Sequence, residues 1–498
     1  MQHEPFGPKG RFVSRYPAQS EDLFARVAPT PVSNPRWLQF NLDLAERMGL
    51  DAREWTGDSG LAVLSGNRPL AGNEPIAMAY AGHQFGQWVP QLGDGRAIQI
   101  GEVRAPNGQV LGIQLKGAGP TPFSRQGDGR AALGPVIREY LLSEAMAGLG
   151  IPTTRALAAV TTGDVVHRET PEPGAILTRV ARGFVRVGTF EYFAARGQSE
   201  AVRSLADMVR SEMCPVEGSG VDVYRAWFEQ IVAAQASLIA LWMSVGFIHG
   251  VMNTDNMSVY GETIDYGPCA FMDSFDPKKV FSSIDRQGRY AYQQQPGIGL
   301  WNLTRLAESL LTLLGDSTEE AVEWAEEALG RYAESFHQAY DEAFRKKIGL
   351  RSVSEISRSL VADLLAIMAD QGADFTLCFR NLVSLAQQAR SGTPGMLPSF
   401  GDPEALKPWA LRWTSELEVE GVAEFEAAEL MDTVNPLFIP RNHRVQQVID
   451  ECLEAGDLSS FKCLLALTSA PFREDSSLLA WANPPEAHEV VRQTFCGT

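Results

Sequence analysis

Positive charge is what this sequence has least of. Its 43 Lys and Arg face 61 Asp and Glu, a formal net charge of −18. A general nucleic-acid binder, or a protein held to membranes by surface charge, needs a basic face, so neither kind of partner is expected. A local basic pocket for phosphates stays open. Cysteine is also scarce. The six are Cys214, Cys269, Cys378, Cys452, Cys463 and Cys496, and none stands in a CxxC or CxxH pair. A structural zinc site is therefore not expected, and reduced thiols of a cytoplasmic protein are the default. Long apolar runs are missing too. The most apolar stretch, Ile231 to Phe247, is interrupted by Gln235 and Ser237 and reads as a core helix. The opening MQHEPFGPKG has no apolar core and carries an acid, so a secretory signal is not expected. There is no internal repeat, no low-complexity tract and no GxxxxGK[ST] phosphate loop.

What is present is a globular composition, 45% hydrophobic and 21% charged over 498 residues, enough for two or three subdomains. Residues 1–75 read as an N-terminal extension, with a helix expected over Arg36 to Met48 and Gly49 as its stop. Ala97 to Val103 and Val110 to Leu115 read as strands joined by a turn at Pro106-Asn107-Gly108. A glycine-rich loop spans Gly117 to Gly129, and Pro135 to Leu149 reads as a helix closed by Gly150. Two or three more strands are expected within Ala156 to Val187. From Ser199 onward the pattern is helical, over 200–213, 221–246, 298–314, 319–346, 353–371 and 374–391. The last hundred residues read as helices joined by Pro-rich loops such as Phe438-Ile439-Pro440.

The residues that could carry chemistry lie in four places. Gly93-Asp94-Gly95-Arg96 could bring backbone N–H groups to a phosphate, or could be a bare turn. Lys116 ends the strand GIQLK and is either a snorkelling lysine or a phosphate ligand; Glu139 in the following helix is its candidate partner, or pairs locally with Arg138. Arg179, Arg182 and Arg186 lie on the run ILTRVARGFVRVGTF, as phosphate-binding guanidinium groups or as the charges that protect an edge strand. The fourth place is FIHGVMNTDNMSVYGETIDYG, Phe247 to Gly267. Asn256 and Asp265 offer the hard oxygen ligands that magnesium takes together with phosphates and water. His249 reads as a hydrogen-bonded core histidine. The bland reading of the whole stretch is a helix, a polar turn and a strand end.

The order of His249, Asn256 and Asp265-Tyr266-Gly267 resembles the HRDxxxxN and DFG loops of protein kinases. Val251 stands where a kinase has its catalytic Asp, so a hydroxyl acceptor lacks the usual base, and Asp255 is the nearest replacement. Longer motifs sharpen the resemblance: YAGHQFG at Tyr80 to Gly86, QLGDGR at Gln91 to Arg96, QLKGAGPTPFSRQGDGR at Gln114 to Arg130, HGVMNTDNMS at His249 to Ser258 and IDYGPCAFMD at Ile264 to Asp273. Together they resemble the selenoprotein O family over nearly the whole chain.

The resemblance implies an α+β, protein-kinase-like bilobal fold. A β-rich nucleotide-binding N-lobe would span 76–190 and a helical C-lobe with the catalytic and metal loops 191–350. A helical C-terminal extension would span 351–498. It implies transfer of AMP from ATP to Ser, Thr or Tyr hydroxyls of proteins, with ATP inverted so that its α-phosphate faces the acceptor. It implies nucleotide contacts at Gly93, Gly95, Arg96, Lys116, Asp128, Gly129, Arg179 and Arg186, a Lys116–Glu139 ion pair, Asp255 as base, and Asn256 and Asp265 as ligands of Mg2+ or Mn2+. The family's selenocysteine place near the C-terminus is held here by Cys496, and the resemblance implies a redox link to Cys269. Uridylyl transfer from UTP, an ordinary phosphotransferase and a non-catalytic nucleotide-binding scaffold are the alternatives.

Overall fold

Ala97–Arg104 and Val110–Lys116 pair antiparallel across the Asn107-Gly108 turn, and the rest of the sheet grows from this hairpin. In the computed structural model, which describes residues 6–7, 12–214, 218, 220–389 and 403–494, the strands are β1 (Phe12–Val13), β2 (Phe24–Arg26), β3 (Arg36–Phe40), β4 (Ile76–Met78), β5 (Gly82–Gln84), β6 (Gln87–Val89), β7 (Ala97–Arg104), β8 (Val110–Lys116), β9 (Ala131–Ala132), β10 (Arg155–His167), β11 (Pro171–Ala181), β12 (Phe247–Ile248) and β13 (Ala270–Phe271). A nine-stranded sheet runs β2-β4-β7-β8-β11-β10-β3, with β1 on β7 and β9 on β11. β5 pairs with β6, and β12 with β13.

One face of this sheet is covered from its own N-terminal side. Helices α1 (Leu42–Arg47), α2 (Ala52–Trp55) and α3 (Asp58–Leu64) put Leu44, Trp55 and Leu64 against Ile98, Ile113, Leu157 and Val180. The other face carries α4 (Leu133–Gly148), through Val136, Ile137, Tyr140 and Leu141. After the sheet the chain is helical: α5 (Val187–Ala194), α6 (Ser199–Met213), α7 (Val221–Ser244), α8 (Gln295–Leu314), α9 (Thr318–Gly330), α10 (Tyr332–Lys347), α11 (Glu355–Gln371), α12 (Phe375–Ala389), α13 (Lys407–Val419), α14 (Glu424–Asp432), α15 (Asn442–Glu454) and α16 (Ser459–Ser469). The fold is thus α+β, sheet first and helices after. Trp227, Phe228 and Ile239 of α7 are fully buried in the largest apolar core among the described residues. No helix among the described residues is long and apolar enough to cross a membrane.

The C-terminal helices do not all stay with the helical part. α15 and α16 return to α4, where Val445, Ile449, Phe461 and Leu464 join its core. Buried Arg441, at the head of α15, fixes that return by ion pairs to Asp273 and Asp374 and a bond to Ala482 O.

Three expectations need correction. The helix expected over Arg36 to Met48 is a strand followed by a helix. Arg36–Phe40 pairs with β10, and Asn41 caps α1 by accepting from the Leu44 N–H. Sheet pairing, which no local propensity encodes, overrides the helical pattern there. Arg186 is not on the strand: β11 ends at Ala181 and Arg186 caps α5. The helix expected over 319–346 is two helices that meet at Arg331.

Candidate active site

β8, β11 and α4 deliver three side chains to one buried point. Lys116 and Arg179 are held on neighbouring antiparallel strands, and Glu139 comes from α4 behind them. Lys116 Nζ lies 2.6 Å from Glu139 Oε2, and Arg179 Nε donates to Glu139 Oε1 at 2.5 Å. Asp265 enters from the loop between β12 and β13. Arg179 Nη2 reaches Asp265 Oδ1 at 2.7 Å, Lys116 Nζ stands 3.8 Å from the same oxygen, and Arg186 pairs with Oδ2. Burial alone would raise the Asp265 carboxyl; Arg186, Arg179 and Lys116 outweigh it and hold the group well below the usual carboxylate range. Burial would likewise raise Glu139, and Arg179 and Lys116 reverse the direction. Burial, with Arg179 beside it, pushes Lys116 down to about 8. Asp265 has a left-handed φ of 64°, a strained backbone for a residue with a side chain. A strained residue where cations converge is a candidate functional residue.

Arg186 ties this network to the loop that precedes it. Its Nη1 also donates to the Asp255 carbonyl at 2.6 Å, and its guanidinium lies 4.7 Å over the Tyr80 ring. Asp255 itself is on a short turn, Thr254–Asn256. Gln84 Nε2 approaches its Oδ2 at 3.5 Å, whereas its Oδ1 is buried without a hydrogen-bond partner. Burial pushes its carboxyl up to about 6. A buried carboxylate with one unsatisfied oxygen is an acceptor lacking its donor. Asn256 donates from Nδ2 to Val251 O at 3.1 Å, which leaves Oδ1 as the atom for a ligand. His249 is structural. Its Nε2 bonds to Ile264 O at 2.8 Å, its ring stacks on Trp242 at 5.4 Å, and burial lowers its pKa. Val251 is buried.

Donor chemistry limits the metal. Among the described residues, no cluster of three or more His, Cys, Asp or Glu could hold one. Asn256 and Asp265 together offer one carboxamide and one carboxylate. Two hard oxygens suit magnesium or manganese, which fill the remaining positions with phosphates and water, and they do not suit zinc.

The remaining expected residues divide. The space beside Gly93 is filled by protein: a Cβ there would lie 2.3 Å from Phe123 Cγ, and one at Gly95 would lie 3.0 Å from Phe123 O. These glycines let the glycine-rich loop fold onto the turn. Arg96 adds positive potential at Lys116. Asp128 lies outside the buried network, 44% exposed, with Arg168 gripping both its oxygens at 2.9 and 3.0 Å. Gly129 turns beside it with φ 64°. Cys269 is buried, Arg138 donates to its carbonyl, and Thr494 Oγ1 donates to the preceding Pro268 O. Cys496 lies outside the described residues.

Sequence reasoning passed over Asp94, Gln114 and the β5–β6 hairpin. Asp94 is 2% exposed, accepts from the Met78 N–H and Gln114 Nε2 at 3.1 Å each, and stands 3.9 Å from Arg186. Burial pushes it up to about 6. An acid between two glycines was the available signal. The hairpin covers Asp255 so closely that a Cβ on Gly82 would lie 2.4 Å from Asp255 Oδ1. Gly82→Ala is therefore expected to displace that carboxyl and to cut turnover ~10²-fold, the scale of a 1 Å misplacement. Nucleotide affinity should be retained. Steady-state rates beside nucleotide titrations check this, and an unchanged rate would show that the contact is dispensable.

The chain as a whole resembles known proteins. The family model described as "Protein adenylyltransferase SelO" matches residues 9–469. "Protein nucleotidyltransferase YdiU" of Rhodopseudomonas palustris (strain BisB18) is 53% identical over 487 residues, covering 98% of this chain and 99% of its own length. The protein of the same name from Rhizobium meliloti (strain 1021) is 53% identical over 488 residues, with the same coverage. With a match that runs from before the sheet into α16 and relatives of full length, the chain is a nucleotidyltransferase and belongs to the SelO protein adenylyltransferase family.

Proposed function

We propose that this enzyme transfers AMP from ATP to Ser, Thr or Tyr hydroxyls of proteins on a kinase-like frame. The observation that carries the reading is the pairing of a buried Val251 with Asp255, whose Oδ1 lacks a partner. The atom that can take a hydroxyl proton is beside the metal asparagine rather than two residues after His249. A base in that place serves a different phosphorus atom from the one a kinase attacks.

The chain's own residues account for the steps. Asp255 accepts the acceptor's proton. The freed oxygen forms a bond to the α-phosphorus, and the bond from that phosphorus to the bridging oxygen breaks. Lys116, Arg179, Arg186 and Arg96 supply the positive charge that binds the departing pyrophosphate. Mg2+ or Mn2+ at Asn256 and Asp265 would neutralise charge on the phosphates. Asp265 pairs with both Arg179 and Arg186, so phosphates would compete with it for these guanidinium groups. The relatives' printed name, protein nucleotidyltransferase, supports a protein acceptor.

The test is transfer of label. ATP labelled at the α-phosphate should mark protein and release pyrophosphate, and ATP labelled at the γ-phosphate should not. Label from γ alone would overturn the reading in favour of a phosphotransferase. UTP labelled at the α-phosphate separates uridylyl from adenylyl transfer. A redox link between Cys269 and Cys496 belongs to the same proposal, supported by Thr494, which holds the described end of the chain against Pro268.

A further inference from the structure

The β5–β6 hairpin holds more than the closure of Asp255 requires. Its tip turns at Phe85 and Gly86, with left-handed φ of 52° and 82°, and lies against Arg289. The Arg289 guanidinium atoms come within 3.5–3.7 Å of where a Gly86 Cβ would be. That guanidinium stacks on Trp301 at 4.8 Å and on Tyr290 at 5.7 Å. The neighbouring charges have partners. Arg305, also on Trp301, pairs with Glu308 at 2.7 Å, and His83 bonds to Glu191 at 2.6 Å. Asp285 spends its carboxylate on the backbone N–H groups of Arg289 and Tyr290, at 2.9 and 2.8 Å. Among the described residues no carboxylate pairs with the Arg289 side chain, and its Nε is buried without a hydrogen-bond partner. A guanidinium stacked on an indole and without an acid is able to take an anion from outside.

The site is wired to the reaction centre. Tyr290 Oη donates to Asn253 Oδ1 at 2.5 Å, and the Phe85 N–H donates to the same oxygen at 3.0 Å. One residue before Phe85, Gln84 touches Asp255. Trp88, on the hairpin's second strand, is 39% exposed and packs on His83, whose ring also meets Trp301. A polypeptide reaching Asp255 along the hairpin would meet these aromatic faces and a guanidinium that has Tyr290 but no carboxylate as partner.

We propose that Arg289, backed by Trp301 and linked through His83 to Trp88, is the acceptor subsite. It binds a carboxylate on an acidic segment of the protein substrate and so orients the nearby hydroxyl on Asp255. Guanidinium is suited to this because its planar fork matches a carboxylate, and the stacked indole holds that fork in place. The inference rests on the reading of the enzyme as one that modifies proteins.

Random copolymers of Glu with Tyr and of Lys with Tyr test it, with α-labelled ATP as donor. The parent should label the acidic copolymer with a KM ~10-fold below that of the basic one, the scale of one charge-assisted contact. Arg289→Ala should erase that difference through KM, with kcat and the Kd for Mg-ATP little changed. Arg289→Lys should restore part of it, and Arg289→Glu should reverse the preference, which a merely misfolded variant could not do. Equal KM values for the two copolymers in the parent, or an Arg289→Ala variant that still prefers the acidic one, would overturn the subsite. Anisotropy of dye-labelled copolymer reads binding without transfer. If Arg289-dependent binding is found but α-label goes nowhere, the AMP-transfer reading falls and the subsite stands. If the enzyme labels protein yet binds both copolymers alike, the subsite falls alone.

Discussion

Asp265→Ala should abolish transfer and remove the metal dependence of nucleotide binding. Among the described residues, the carboxylate is the only acid that pairs with Lys116, Arg179 and Arg186 together. Its loss removes a proposed metal ligand and takes one carboxylate from two guanidinium groups that are 2–3% exposed. Breaking a buried pair by removing one partner costs ~3–5 kcal/mol. The lower end is expected here, since Arg179 keeps Glu139 and Arg186 keeps the Asp255 carbonyl and stands near Asp94. Phosphates can replace the missing anion. Thermal melts should therefore show a variant less stable than the parent when empty, and raised by ATP with or without Mg2+. Calorimetric titrations in the two conditions should give the variant one affinity and the parent two. A variant that still bound Mg-ATP more tightly than ATP would show that the metal is held elsewhere.

Asp255→Ala should lower the transfer rate ~10²–10⁴-fold, the usual contribution of a general base, and leave ATP affinity near that of the parent. Asp255→Asn should lose as much, because a carboxamide cannot take the proton. Stability should move the other way. Burial raises the Asp255 carboxyl from its ordinary 3.8 to about 6, so near neutral pH the ionised group works against the fold. That rise is worth ~3 kcal/mol, which sets the most that Asp255→Asn can gain. The sign follows from linkage: the penalty is full above pH 6, shrinks as pH falls through 6, and is gone below the ordinary carboxylate value. Melts of parent and Asp255→Asn at pH 7.5 and pH 5 check it. The variant's advantage should narrow at the lower pH, and a variant that melts below the parent at pH 7.5 would show Asp255 to be a structural residue.

Much of the frame is legible in the sequence because its causes are local. The β7–β8 hairpin follows from strand-forming residues on either side of Asn107-Gly108. α4 follows from its apolar faces and from the stop at Gly150. The long helices after Ser199 follow from period, and most of them stand within a few residues of the expected bounds. A motif picks out Lys116, Glu139 and Asp265, and these three do come together.

What the chain alone determined is therefore composition, period and the identity of the charged residues: an acidic α+β protein with its cations gathered near a polar loop. Only the tertiary structure decided which acid answers which cation. Arg179 sits on a strand, but its partners come from α4 and from a loop 86 residues on. Asp94 looks like a turn residue and is a buried acid, and Asp128 pairs with Arg168, 40 residues on. Arg289 carries no motif and becomes visible only because folding leaves it beside the hairpin without an acid. Charges take their meaning from partners brought together by loop closure and core packing, and pairings of high sequence separation leave no local periodicity by which to read them.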